Sequence, residues 1–299
     1  MILNIHGALA PVFTPFDDNG QINYGVMPEY MAHLKKHNVS GILVGGTTGE
    51  AMSLNVSERK SVLQAWLTVA RPLGAKVIAQ VGGASLPDVL ELAKHAEQVS
   101  ADGIMTLPEL YYKPKIVDQL VGYLETVSAA APTLPMIFYH FPMMTGVEVN
   151  IPQLFSEATS RIPNFKGMKA DLGVAVQVAD QLVEDRRVFI ANHHIAPAVL
   201  MGYDSSIATV TNMFPELVHG IIEAVQSGDV LKARNRQKRL NKLVEVITSQ
   251  GEFVPSMKCA LQAVTGIKVG PPRQPLDTLN QERTSCMLNN LKSLGVQIK

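Results

Sequence analysis

Short apolar runs alternate with amphipathic segments along most of the chain. The apolar runs, which predict strands, lie at residues 7–16, 40–46, 76–83, 103–108, 136–142, 165–169, 188–192 and 206–212. Segments with helical spacing of apolar residues follow them at 26–37, 57–70 (with Ser57 as the expected cap), 88–99, 116–130, 153–159, 174–183, 195–201 and 215–226. Continuous apolar runs joined by helices are typical of parallel strands that are buried on both faces.

Eight such units predict an α/β protein, a closed (β/α)8 or TIM barrel, within residues 1–227. An open doubly wound sheet is the alternative, but it would usually carry a phosphate-binding glycine fingerprint after its first strand, which this chain lacks. Further helices are predicted at about 229–249, 253–265 and 280–294. We interpret residues 228–299 as a helical extension that packs on the barrel and forms one structural unit with it.

The composition is that of a globular protein without an excess of either charge. Of 299 residues, 46% are apolar, and 26 basic residues balance 26 acidic ones. A general nucleic-acid binder would show a basic excess, so we expect no nucleic-acid partner. No apolar run approaches the about 20 residues of a membrane span, and the first residues lack a signal-peptide pattern. Two cysteines are too few for a disulfide scaffold. We therefore expect a cytoplasmic protein that does not bind membranes.

Lys169 ends the sixth predicted strand, at a Gly-Met-Lys step before a helical segment. Such a lysine is either a solvent-exposed surface charge or a buried amine that attacks a carbonyl group. In a (β/α)8 barrel the active site lies at the carboxyl ends of the strands. The predicted fold therefore brings Lys169 together with the polar residues that end the other strands.

The turn after the second strand, residues 45–49 (Gly-Gly-Thr-Thr-Gly), predicts an anion site. Its glycines let the backbone approach a ligand, and Thr47 and Thr48 add hydroxyl donors that suit a small carboxylate or phosphate. A simple tight loop is the alternative. Tyr139, on the fifth strand, is either an aromatic residue of the core or a proton shuttle beside the lysine.

Adjacent histidines, His193 and His194, follow the seventh strand. Neighbouring residues seldom bind one ion together, and no third ligand follows at a suitable spacing. We expect no metal and no other cofactor, and we interpret His193 as a structural or substrate-contacting residue.

Three motifs together resemble the dihydrodipicolinate synthase/N-acetylneuraminate lyase superfamily, which comprises class I aldolases on a (β/α)8 barrel. They are residues 45–50 (Gly-Gly-Thr-Thr-Gly-Glu), residues 138–147 around Tyr139, and Gly167-Met-Lys169. Residues 8–15 and 270–273 extend the likeness over nearly the whole chain. The stretch 129–142 is similar to the animal N-acetylneuraminate lyases. Met144 stands where the synthases carry an arginine, which argues against dihydrodipicolinate synthase activity.

The resemblance implies a role for each matching residue. Lys169 would form a Schiff base with a 2-oxo acid, and Tyr139 would transfer a proton. Thr47 and Thr48 would hold the substrate carboxylate. The family also implies a small-molecule 2-oxo acid or sugar acid substrate and a homotetramer.

The chain departs from the lyases where they bind the sugar. Asp171 stands in place of a serine or threonine, Asn192 and His193 in place of an acidic pair, and Thr209 in place of a serine. We expect these four residues to contact the substrate. Two enzymatic hypotheses follow: reversible cleavage of N-acetylneuraminate to N-acetylmannosamine and pyruvate, or an aldolase or dehydratase reaction on a different 2-oxo acid. A barrel that binds such acids without turnover is a third.

Overall fold

Eight parallel strands form a closed barrel in the computed structural model, which describes residues 4–183 and 185–299. The strands are β1 (Ala8–Pro11), β2 (Gly41–Val44), β3 (Lys76–Gln80), β4 (Gly103–Thr106), β5 (Met136–Tyr139), β6 (Phe165–Ala170), β7 (Arg187–Ile190) and β8 (Ser206–Ile207). Each strand pairs with the next, and β8 pairs with β1. The predicted (β/α)8 barrel is confirmed, and the open sheet is excluded.

Helices surround the barrel and form the extension. They are α1 (Met27–Lys36), α2 (Val56–Ala70), α3 (Leu86–Gln98), α4 (Val117–Ala129), α5 (Pro142–Thr145), α6 (Ile151–Arg161), α7 (Leu172–Ala175), α8 (Ile195–Leu200), α9 (Pro215–Gln226), α10 (Val230–Thr248), α11 (Phe253–Thr265) and α12 (Gln281–Ser293). In the extension, α10 packs on α8 and α9, while α11 and α12 pack on α10. No helix of the described residues is long and apolar enough to cross a membrane.

Several predicted boundaries were wrong for local reasons. Helix α2 begins after Asn55 and not at Ser57, because the Asn55 side chain accepts a hydrogen bond from the Glu58 N–H while the Glu58 carboxylate accepts one from the Asn55 N–H. This reciprocal capping box satisfies two backbone donors that a serine two residues later would leave free. Beyond Ile207 the chain turns into a 3-10 helix, Thr209–Asn212, where a strand through residue 212 was predicted.

The segment predicted as a helix over residues 174–183 is also different. It begins earlier, with α7 at Leu172, because the Asp171 side chain accepts a hydrogen bond from the Val174 N–H and caps the first turn. It then continues as a 3-10 helix, Val176–Gln181.

Alternation along the strands divides the core into two layers. One cluster fills the barrel interior, and its strand residues include Leu9, Leu43, Ile78, Met105, Ile137, Phe189 and Ile207. Neighbouring strand residues such as Ile42 and Val44 face the surrounding helices. Tyr139 belongs to the interior cluster, and it lies opposite Lys169 in the register of β5 with β6. The inward faces of the strands are therefore apolar along most of their length, and at the carboxyl ends of β5 and β6 they carry Tyr139 and Lys169.

A buried ion pair joins the extension to the loop after β2. Lys258 Nζ, on α11, lies 2.7 Å from Glu50 Oε1, and the two side chains are only 2% and 1% exposed. The Arg273 backbone N–H donates to Glu50 Oε2 at 2.8 Å, and Lys258 Nζ donates to the Pro271 carbonyl at 2.9 Å. Burial lowers the pKa of Lys258, and the Glu50 carboxylate opposes that shift. Because Glu50 directly follows the threonine-rich turn, the ion pair holds that turn against the extension.

We expect Lys258→Met to destabilise the fold strongly, because it leaves the Glu50 carboxylate buried without a counter-charge. Removing one partner of a buried pair typically lowers the free energy of unfolding by about 3–5 kcal/mol. Denaturant unfolding at a fixed protein concentration measures the loss. The exposed Lys232→Met on α10 is the matched control. The double variant Glu50→Gln/Lys258→Met should recover part of the stability. A double variant that is less stable than Lys258→Met would contradict this account.

Candidate active site

A cavity of about 610 Å³ lies at the carboxyl ends of the strands. Residues from six regions of the chain line it: Thr47 and Thr48 after β2; Tyr139, Phe141, Met143 and Met144 at and after β5; Lys169 on β6; Ala191, Asn192 and His193 after β7; Ala208, Thr209 and Val210 after β8; and Glu252, Phe253, Val254, Met257 and Leu276 from the extension. Seven of the eight residues predicted from sequence to form the site therefore share one cavity.

Lys169 is buried at the floor of this cavity. Its side chain is 5% exposed, so it is not a surface charge. Its Nζ lies 3.9 Å from the centroid of the Tyr139 ring. Within residues 4–183 and 185–299, no carboxylate forms an ion pair with it. A buried amine without a fixed counter-charge, open to a cavity, is suited to attack a carbonyl group.

Gly167 sets the path of β6 just before this lysine. It has a φ of 135°, and a Cβ there would lie 1.8 Å from the Arg187 carbonyl oxygen of β7. Only glycine lets the two backbones approach so closely. The Gly-Met-Lys motif thus has a packing reason as well as a chemical one.

The Tyr139 hydroxyl and the threonine turn form a connected polar group beside the lysine. Thr47 Oγ1 lies 3.3 Å from the Tyr139 hydroxyl, and Thr48 Oγ1 lies 2.9 Å from Thr209 Oγ1. The Tyr139 ring also stacks on Phe141, with centroids 5.6 Å apart. Tyr139 is therefore both a core residue and a cavity residue, so the two sequence-based alternatives for it are compatible.

The threonine turn has backbone N–H groups that are not used within the turn. The N–H groups of Gly49 and Glu50 close the turn by donating to the carbonyls of Gly46 and Thr47. For the N–H groups of Thr47 and Thr48, the described part of the chain offers no hydrogen-bond acceptor. Two free N–H donors beside two hydroxyls suit a carboxylate group.

The loop after β7 is fixed by hydrogen bonds to α10 of the extension. Gln237, on α10, donates to the His193 carbonyl at 2.7 Å and accepts from the Ala196 N–H at 2.8 Å. The Asn192 side-chain oxygen accepts from the His194 N–H at 3.0 Å, which leaves its amide N–H₂ for the cavity. Burial lowers the pKa of His193 to about 4, and the neighbouring His194 adds to this shift, so the His193 ring is neutral at pH 7.

No group of three or more histidine, cysteine or carboxylate side chains that could hold a metal ion is found among residues 4–183 and 185–299. The rings of His193 and His194 lie near each other, with centroids 4.7 Å apart.

Asp171 is the one predicted site residue that does not line the cavity. Its side chain is exposed and caps α7. The structure shows the Asp171 side chain in contact with α7, and its contact with a substrate remains a prediction.

The extension supplies cavity residues that sequence reasoning missed. Glu252, Phe253, Val254 and Met257 come from the start of α11, and Leu276 comes from the segment after it. No local motif marks them, because they reach the cavity only through the packing of α11. The buried ion pair between Lys258 of α11 and Glu50 is a polar contact that ties α11 to the site. It could not be recognised from sequence, because the two residues come together only in the folded chain.

The fold and the site define a (β/α)8 barrel with a buried lysine, a tyrosine and a threonine turn at the carboxyl ends of its strands. The chain belongs to the dihydrodipicolinate synthetase family, whose model matches residues 4–294. The human and mouse N-acetylneuraminate lyases are each 34% identical to it over 296 residues, which cover 97% of this chain and 92% of the relative.

Solved structures give the same picture. The Proteus mirabilis N-acetylneuraminate lyase superposes with a TM-score of 0.92 at 29% identity, over 98% of this chain and 99% of that one. The wild-type sialic acid aldolase of Ruminococcus gnavus superposes with a TM-score of 0.89 at 25% identity, over 97% of each chain.

We expect pyruvate and borohydride to modify Lys169, because the buried amine opens to the cavity and can form an imine that borohydride reduces. Peptide mass spectrometry should place the added mass on Lys169. Lys166, three residues earlier on β6, is an internal control, since it is equally buried but paired with Asp185 at 2.6 Å. Label on Lys166 instead of Lys169, or on neither, would contradict this assignment.

Proposed function

We propose that this protein is an N-acetylneuraminate lyase, a class I aldolase that reversibly cleaves N-acetylneuraminate to N-acetylmannosamine and pyruvate. The observation that carries the proposal is the buried Lys169 amine beside Tyr139 at the carboxyl ends of the barrel strands. The human and mouse relatives bear the name of this activity. One solved neighbour is described as the "catalytic lysine mutant" of a sialic acid aldolase, which agrees with a lysine at the centre of the chemistry.

The reaction begins with attack of the Lys169 Nζ lone pair on the keto carbon of the open-chain sugar acid. Loss of water then yields an iminium ion. The carboxylate next to that carbon is held by the hydroxyls and free N–H groups of Thr47 and Thr48. This contact fixes the keto carbon near Lys169. It also gives a function to the uncharged hydroxyl and N–H donors of Thr47 and Thr48.

Cleavage follows because the iminium ion is an electron sink. The Tyr139 phenol gives its proton to the hydroxyl that leaves as water when the iminium ion forms, and the resulting phenolate then accepts the proton of the substrate's C4 hydroxyl as the C3–C4 bond breaks. Its electron pair forms an enamine on the lysine side, while C4 becomes the aldehyde of N-acetylmannosamine. Protonation of the enamine at C3 and hydrolysis of the imine release pyruvate and restore Lys169. The contact between the Tyr139 hydroxyl and Thr47 holds the phenol at the lysine end of the cavity.

A second candidate keeps the Schiff base but changes the partner aldehyde. The loop after β7 presents Asn192 and a neutral His193 to the cavity and no carboxylate. This difference favours an aldolase or dehydratase that acts on another 2-oxo acid. Binding without turnover is less well supported, because Lys169, Tyr139, Thr47 and Thr48 are all present in one cavity.

We further propose a homotetramer in the cytoplasm. Tyr111 and Tyr112 are each 83% exposed and pack edge to face, with centroids 5.0 Å apart. Two neighbouring aromatic side chains this exposed are typical of an interface with another protein surface. A second copy of the chain is the partner that the family resemblance supports.

The cleavage reaction can be tested directly. We expect the protein to release pyruvate from N-acetylneuraminate, measured by coupling to lactate dehydrogenase and NADH. Lys169→Met removes the nucleophile, so its release should fall to background. If the protein releases no more pyruvate than Lys169→Met does, but releases it from another 2-oxo sugar acid, the second candidate replaces the first.

Tyr139→Phe should separate imine formation from turnover. The phenylalanine keeps the ring beside Lys169 but removes the proton acceptor, so turnover should fall by about 10²- to 10⁴-fold. Trapping of pyruvate on Lys169 should continue. Tyr203→Phe is the matched control, because Tyr203 is buried outside the cavity. Unchanged turnover in Tyr139→Phe would remove this residue from the mechanism.

A further inference from the structure

Glu252 occupies an unusual position in the cavity. Among the described residues that line it, Glu252 is the only carboxylate, and Lys169 is the only lysine or arginine. Lys169 is buried at the floor, whereas Glu252 is exposed, at the rim. One charge is therefore buried inside the cavity, and the other is open to solvent.

The Glu252 carboxylate is free to bind a ligand. Glu252 is the N-cap residue of α11, yet its side chain makes no capping hydrogen bond, although its backbone carbonyl accepts from the Ser256 N–H at 3.1 Å. No ion pair joins it to another residue within 4–183 or 185–299. The positive end of α11 favours a negative charge at this position.

The other side-chain acceptors that line the cavity are uncharged. The Asn192 oxygen accepts one hydrogen bond from the His194 N–H and has one lone pair left, and the threonine hydroxyls can accept as well as donate. The neutral His193 ring has one acceptor nitrogen at most. Phe253, Val254 and Met257 are apolar. A chain of hydroxyl groups needs acceptors for its protons, and the Glu252 carboxylate is the strongest one available near the rim.

We infer that Glu252 binds the polyhydroxylated tail of the sugar acid while Thr47 and Thr48 hold its carboxylate. This inference rests on the proposed function, and it specifies which kinds of 2-oxo acid the cavity accepts. The site takes a 2-oxo acid with an uncharged polyol tail and disfavours one with a second anionic group near Glu252. The extension then has a direct part in substrate choice, because Glu252 lies six residues before the Lys258 that anchors α11 to the barrel.

The test compares Glu252→Gln with the parent protein on N-acetylneuraminate. Loss of a charge-assisted hydrogen bond that forms in the ground state and the transition state alike should raise KM by about tenfold and leave kcat within about twofold. Trapping of pyruvate on Lys169 should not change, because pyruvate has no tail. Glu282→Gln is the matched control, since Glu282 is an exposed glutamate in the first turn of α12, outside the cavity.

A shortened substrate makes the test specific to the tail. The seven-carbon analogue of N-acetylneuraminate lacks the last two carbons and their hydroxyls. The KM penalty of Glu252→Gln should shrink to about twofold or less on this analogue. An equal penalty on both substrates, or none on N-acetylneuraminate, would overturn the assignment while leaving the proposed lyase activity intact. If the parent protein does not cleave N-acetylneuraminate at all, the proposed function fails, and this inference fails with it.

Discussion

The buried Glu50–Lys258 ion pair is the contact that links the two parts of the cavity. Glu50 ends the turn that carries Thr47 and Thr48, and Lys258 lies on the helix whose first residues form the rim. Two charges this deeply buried are tolerated only when each is paired and hydrogen-bonded. The Arg273 N–H and the Pro271 carbonyl complete that bonding, so the threonine turn, α11 and the segment after it are held as one unit.

The Lys169 amine depends on a different constraint. The barrel interior is filled with apolar side chains, and the inward alternation of β5 and β6 brings Tyr139 and Lys169 side by side at its end. The close approach of β6 to β7 at Gly167 determines the path of the strand just before the lysine. Apolar packing on one side and the cavity on the other leave the Lys169 amine buried but accessible from the cavity.

The buried and exposed parts of the cavity differ in chemistry. The buried part combines the Lys169 amine, the Tyr139 phenol and the hydroxyls of Thr47 and Thr48, which under the proposed function take the 2-oxo acid group. The rim combines apolar residues of α11 with one carboxylate and a neutral histidine. A molecule with a keto acid at one end and a neutral polar chain at the other matches this arrangement from floor to rim.

The order of local patterns in the sequence was enough to predict the barrel and to bring Lys169, Tyr139, Thr47 and Thr48 together at one end of it. Apolar runs and helical segments repeat locally, so their order predicts eight parallel strands, and strand ends then identify Lys169, Tyr139, Thr47 and Thr48. The hydrophobic pattern predicted the ends of the helices less accurately, because capping side chains decide where a helix begins. Asn55 caps α2, and Asp171 caps α7. The tertiary structure was needed to show that Asp171 caps α7 outside the cavity and that Glu252 lines it. The physical reason is distance along the chain: strand periodicity depends on near neighbours, whereas the rim forms where α11 packs against loops that lie far from it in sequence.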